Sequence, residues 1–217
     1  MATRHFVCAA ALSDWPAIAA LGHGDRRFYG IHPWAAREGV VPAEVASALR
    51  MRLENDPAAG VGEIGLDRLR VRDVSPLMRE LFAAQLAVAA ACSRPVVLHG
   101  AKCWGEVVKA VRPWAGRLPA LLFHGFSRSE GLVGEMVAMG GYVSVGPSIL
   151  NDHAVNYREL AKRLPLSRLL VETDRTEGKA LETPGVEAVA RKLAEVRAMP
   201  YEELSAELEA NAERFLV

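Results

Sequence analysis

The chain has 217 residues, 51% apolar and 24% charged, with 26 Lys and Arg balanced against 26 Asp and Glu. This length suits one domain, residues 1–217, with a sizeable core, and the balanced charge excludes a nucleic-acid partner held by net charge alone; such a contact would need a local patch. The three cysteines, Cys8, Cys92 and Cys103, include no C-x-x-C, which argues against a disulfide framework and for free thiols in a cytoplasmic protein.

Short apolar runs alternate with helical patterns along the chain. HFVCAA (5–10) is the first strand; the apolar run from Phe6 to Leu12 is stopped by Asp14 and lacks a small-residue cleavage pattern, so no signal peptide is read there. FYGI (28–31) is the second strand. Pro42 then opens the helix AEVASALRMRL, and GVGEIG (60–65) is the third strand. Ser75 and Pro76 supply a hydroxyl cap and a first-turn proline for LMRELFAAQLAVAAAC. Its uncharged stretch from Leu81 to Ser93 is too short to span a bilayer and predicts a buried helix, so no membrane partner is expected. PVVLH (95–99) and ALLFH (120–124) are strands four and five. Ser127 or Ser129 can cap GLVGEMVAM, and GYVSV (141–145) and RLLVE (168–172) complete the strands. Pro184 and Pro200 open the last two helices, the final one with an apolar stripe of Tyr201, Leu204, Leu208, Phe215 and Leu216.

The strand runs are continuously apolar rather than alternating, which marks strands buried on both faces of a parallel sheet. Glu63, late in its run, and the run ends His99, His124 and Val145 recur at a βα spacing that allows a doubly wound open sheet or a barrel. No G-x-G-x-x-G and no P-loop follows a strand, which weakens the nucleotide-binding open sheets.

Glu63 raises a physical question, because a carboxylate in an apolar strand is costly to bury without a partner. It lies late in its strand, His99 and His124 close theirs, and Asp174 follows RLLVET. In a barrel the carboxyl ends of the strands converge on one mouth, where active sites are found. Two imidazoles and two carboxylates there match the donors of zinc, manganese or a related divalent ion, which would also neutralise Glu63. Taken singly, a strand-end histidine is more often a satisfied core or surface residue; four equivalent positions together favour a metal site. His32 in GIHPW also sits at a strand exit, where it could cap or pack locally. His5, His23 and His153 are read as surface or edge residues, and Cys8 and Cys92 as small buried hydrophobes.

GIHPW, GEIGLD, RPVVLH, FHGFS, YVSVGPSIL and LLVETD, in this order, resemble the TatD family of metal-dependent hydrolases and DNases, members of the amidohydrolase-like TIM barrels. The resemblance runs from about residue 4 to the C-terminus. It implies a TIM-barrel-like parallel (β/α) barrel in which Glu63, His99 and His124 bind one metal. Asp174 would belong to a second metal and help activate the attacking water, and Lys102 would lie near the substrate phosphate.

The chain departs from that family in one respect. The family opens with a strand ending in H-x-H, whereas this chain has no H-x-H and its ATRHFVCAAALSDW resembles the family's second strand. An incomplete barrel of seven strands, lacking the first, is therefore expected; a start codon placed too late and a genuine truncation compete as explanations.

The expected chemistry is divalent-metal-dependent hydrolysis of a DNA phosphodiester or a smaller substrate. One or two Zn, Mg or Mn ions would serve, with Glu63 and Asp174 as catalytic carboxylates and activity reduced by the missing half-site. Lys102, His32 and Arg68 are the candidate substrate contacts. Arg68, Arg70 and Arg72 lie in DRLRVRD on the mouth side, although the flanking Asp67 and Asp73 fit a solvated loop equally well, and no row of aromatics suggests a stacking platform. Two alternatives stand beside this reading. One is a non-catalytic barrel remnant used for binding or assembly, dimerising across its open edges. The other is an amidohydrolase acting on an amide or ester.

Overall fold

The computed structural model describes residues 5–22, 24–127, 130–174 and 185–216. The chain divides into two compact units, Met1–Leu121 and Leu122–Val217.

The first unit is built on four parallel strands in chain order, β1 (Phe6–Cys8), β2 (Arg26–Tyr29), β3 (Gly60–Asp67) and β4 (Val96–Ala101). Phe6 pairs with Arg26, Phe28 with Gly60, and Gly65 with His99. Every residue of β3 is buried except Glu63, which is half-buried, so the continuous apolar run reports a strand covered on both faces. Helices α1 (Trp15–Ala19), α2 (Pro42–Asn55), α3 (Pro76–Ala91) and α4 (Trp104–Val111) accompany the strands. Pro42 occupies the first turn of α2, whose Val45, Leu49 and Leu53 recur every four residues and are buried. In α3 the Ser75 hydroxyl accepts the Met78 amide, as the cap reading expects, and Leu81, Phe82, Leu86 and Ala89 form the buried face.

The second unit carries β5 (Leu121–Phe123), where the division falls, β6 (Gly141–Val145) and β7 (Leu169–Val171), with β6 and β7 parallel through Val143–Leu169 to Val145–Val171. Its helices are α5 (Val133–Ala138), α6 (Val155–Arg163), α7 (Val186–Arg197) and α8 (Tyr201–Leu216). Leu204, Leu208 and Phe215 of the expected α8 stripe are buried, together with Asn211, whose amide donates to the carbonyls of Leu166 and Leu169 at 2.7 and 2.8 Å. That amide ties α8 to the start of β7.

The seven parallel strands and their helices make an α/β, TIM-barrel-like fold, as expected. Some boundaries differ from the sequence reading. β2 ends at Tyr29 because Gly30 and Ile31 are held by side chains instead of the sheet: the Trp15 indole donates to the Gly30 carbonyl, and Gln85 bonds both the amide and the carbonyl of Ile31. Helix α5 starts at Val133 with Leu132 as its cap residue and no side-chain cap; Ser129 and Pro184 lie outside the described residues. No described helix is long and apolar enough to cross a membrane.

Candidate metal centre

The backbone just beyond β1 positions the first part of the site. The carbonyl of Ala10 accepts the His32 amide at 2.9 Å, and the carbonyl of Ala9 accepts the Glu63 amide at 3.1 Å. His32 follows directly on Ile31, which Gln85 of α3 clamps from a fully buried position. His99 is the fourth residue of β4, aligned with Gly65 of β3.

Glu63 meets His99 as its neighbour: Oε1 lies 2.8 Å from Nδ1. The other ring nitrogen, Nε2, lies 2.8 Å from Oδ2 of Asp67, a carboxylate only 1% exposed whose Oδ1 accepts the Leu69 amide at 2.6 Å. His32 packs edge to face against His99, with ring centroids 4.3 Å apart. One ligand atom each from His32, Glu63 and His99 lies within 4.8 Å of the others. Two imidazoles and a carboxylate this close together fit a divalent ion of the zinc or manganese type, and the cation would compensate the carboxylate set in an apolar strand.

The three residues differ in what they can offer. With an ion bound, Asp67 would accept from Nε2–H and Nδ1 of His99 would be the lone-pair nitrogen beside Glu63, the arrangement in which an outer carboxylate orients a ligating imidazole. His32 accepts the Trp34 amide at Nδ1, 3.2 Å away, as the cap of a short 3₁₀ turn at Pro33–Ala35. While that bond stands, the neutral ring presents Nε2 as an N–H donor; ligation through Nε2 would require giving the bond up.

In the second unit, His124 follows β5 and its Nδ1 lies 2.5 Å from Oε2 of Glu172. The same carboxylate oxygen also accepts from the Ser144 hydroxyl and, at 3.3 Å, from the Gly125 amide. Nε2 of His124 lies 3.6 Å from Oδ1 of Asp174, whose side chain is exposed. Tyr157, which accepts the Gly146 amide at 2.8 Å, has its phenol pushed up to about 12 by burial; the Gly146 bond opposes the shift and the Glu172 charge adds to it.

Lys102 is exposed and has a left-handed backbone with φ 57°, and Asp174 shares that feature with φ 47°. The other described non-glycine residues with positive φ, Ser93 and Ala198, follow the ends of α3 and α7, where such a conformation terminates a helix. Lys102 and Asp174 have no helix end to explain it, and strain of this kind concentrates at functional positions. Arg68 is tied into its own loop: Nε donates to the Arg72 carbonyl at 3.1 Å and Nη1 lies 3.7 Å from Glu106.

The structure thus brings Glu63, His99 and His32 together in the first unit, and His124 and Asp174 in the second. Sequence reasoning placed Asp67 at the edge of a solvated loop, whereas it is buried at the end of β3, and it passed over Glu172. Asp67 stands four residues after Glu63 in one strand, so period two puts both on one face, and LLVETD carries two carboxylates of which only the second was singled out. His5 and His153 are exposed, as expected, while His23 lies outside the described residues; Cys8 and Cys92 are half-buried.

The profile of the family described as TatD related DNase matches residues 3–217. The uncharacterized metal-dependent hydrolase YabD of Bacillus subtilis (strain 168) is 28% identical over 167 residues, covering 74% of this chain and 66% of YabD. The 3'-5' ssDNA/RNA exonuclease TatD of Pantoea ananatis (strain LMG 20103) is 32% identical over 146 residues, covering 67% of this chain and 55% of that protein. The chain therefore matches between about half and two thirds of the length of these curated relatives. Among solved structures, YjjV, a TatD homolog from Escherichia coli K12, superposes with a TM-score of 0.80 at 26% identity, covering 98% of this chain and 85% of that one.

Proposed function

The chain belongs to the TatD-related DNase family, and from that membership we propose that it is a divalent-metal-dependent hydrolase of nucleic-acid phosphodiesters. The observation that carries the proposal is the convergence of Glu63, His99 and His32, with Asp67 fixing the His99 ring.

In this reading Glu63 and His99 would hold the ion through Oε1 and Nδ1. A zinc, magnesium or manganese ion bound there supplies charge stabilisation at a phosphoryl oxygen and a water acidic enough to attack at neutral pH. Asp174, exposed and beside His124 Nε2, would serve as a proton acceptor in the hydrolysis. His32 donates Nε2–H to a phosphate oxygen, and Lys102 adds a cation from its left-handed strand exit. Arg68 contributes to the substrate side chiefly by shaping the 68–72 loop. The sequence, with three cysteines and no C-x-x-C, supports a cytoplasmic location.

Calorimetric titration of the metal-stripped protein with Zn, Mn and Mg, followed by hydrolysis of an end-labelled single-stranded oligonucleotide, tests this. Binding should be lost in Glu63→Ala and His99→Ala, and hydrolysis also in Asp174→Ala. Absence of binding by the wild type at millimolar metal would overturn the proposal. Turnover of amide or ester substrates without phosphodiesters would move it to the amidohydrolase class.

A further inference from the structure

Trp34 is 50% exposed, although His32 and Pro33 beside it are buried. Its indole lies at the edge of the candidate centre, with ring centroids 4.8 Å from His32 and 6.5 Å from His99. Over this ring sits the Arg70 guanidinium, its Cζ 3.8 Å from the indole centroid. Among the described residues no carboxylate pairs with Arg70, so its charge is offered to solvent and to the indole. The loop that carries it exposes Leu69 and Val71 as well, and is closed on itself by the Arg68–Arg72 carbonyl bond. An exposed indole and two exposed apolar side chains are costly to solvate, and together with the cation over the ring they lie beside the residues that would hold the scissile phosphodiester.

Taking that hydrolase reading as its basis, we infer that Trp34 and Arg70 form a stacking step for an unpaired nucleobase of a single-stranded nucleic acid, next to the phosphodiester being cut. Indole and guanidinium both present flat faces that stack on any base without reading its edge, and the cation adds attraction to the π-face. A base within a duplex has both faces covered by its neighbours, so the step selects strand ends and unpaired segments. This distinguishes Arg70 from Arg68: Arg68 is committed to the Arg72 carbonyl and to Glu106, whereas Arg70 sits over an aromatic ring.

The test uses the full chain with a chelator present and a labelled oligodeoxythymidylate, compared with the same strand carrying an abasic residue at its end, both read by fluorescence anisotropy. The wild type should bind the intact strand about tenfold more tightly than the abasic one, the order expected for one stacked base. Trp34→Ala and Arg70→Ala should remove that preference, and Trp34→Phe, which keeps a stacking face, should retain most of it. Quenching of tryptophan emission by the intact strand should disappear in Trp34→Phe. Equal wild-type affinity for the two strands, or a preference that survives Trp34→Ala, overturns the inference. Hydrolysis of bis(4-nitrophenyl) phosphate by the metal-loaded wild type is measured separately. A stacking preference without hydrolysis sinks the hydrolase reading alone; hydrolysis without the preference sinks the stacking step alone.

Discussion

At the scale of the residue, partners decide what each polar side chain can do. Asp67 is the clearest case, since it touches no proposed ligand atom directly yet, by accepting from Nε2–H, would leave Nδ1 of His99 to the ion beside Glu63. Asp67→Ala should weaken metal binding by about 10–100-fold, whereas Asp67→Asn, which keeps an acceptor, should recover much of the loss. Calorimetry reads the affinity, and nitrogen NMR of the His99 ring reads the tautomer; an unchanged tautomer in Asp67→Ala would remove the positioning role. Two further residues report through protons. The Cys103 thiol is pushed up to about 11 by burial, with the charges of Glu106 and Asp67 adding, so a thiol reagent should label half-buried Cys8 and Cys92 first and Cys103 only on unfolding. Tyr157 keeps its proton to about 12, against 10.0 for an unperturbed phenol. The unfolded chain therefore releases that proton first, so the stability Tyr157 contributes is complete below pH 10 and is lost as pH rises through 12. Melting temperatures across that window should fall less steeply in Tyr157→Phe than in the wild type.

At the scale of the element, the strands read more clearly than the helices between them. The β6 run announces itself because every position is apolar or small, β3 because its run is apolar or glycine apart from Glu63 and the terminal Asp67, and α2, α3 and α8 because a proline or a capped serine marks their starts. Helices α4 and α6, of 8 and 9 residues, carry neither a first-turn proline nor a side-chain cap bond, so no start signal in the sequence marks them; tertiary packing makes them. The same holds for the end of β2, which Gln85 decides from α3, 54 residues away. Gln85→Leu would leave the Ile31 amide and carbonyl without partners and loosen the approach to His32. Urea denaturation should show a loss of about 1–3 kcal/mol per orphaned group. Gly65 is a second element-level determinant: its φ is +154°, and a Cβ there would lie 2.0 Å from the His99 carbonyl oxygen across the β3–β4 pairing. Gly65→Ala should therefore cost about 3–5 kcal/mol, the upper range for one substitution, and should reduce metal binding by moving His99.

At the scale of the whole molecule, fold class was legible because the alternation of buried runs and helices repeats along the chain, and the site was legible in part because its donors recur at strand exits. Glu63 and His99 could be singled out by residue type and position alone. The contributions of Asp67, Trp34 and Arg70 could not, because residue type does not specify which atom faces which neighbour, nor that a lone exposed tryptophan would lie under an arginine 36 residues further on. What joins site to stability is linkage. An ion bound only by the folded protein raises its stability by about 2.7 kcal/mol when present at a hundredfold excess over its dissociation constant. In a chain of this size each kcal/mol moves the melting temperature by roughly 2–4 °C, so saturating metal should raise it by about 5–10 °C. Glu63 and His99 both lie within Met1–Leu121, so the shift belongs to the unfolding of that unit. Chelator should reverse it, and Glu63→Gln, which removes the charge but keeps the shape, should melt at the same temperature with and without metal. A wild-type melting temperature indifferent to millimolar zinc, manganese and magnesium would mean that the carboxylate in its apolar strand is balanced by His99 alone.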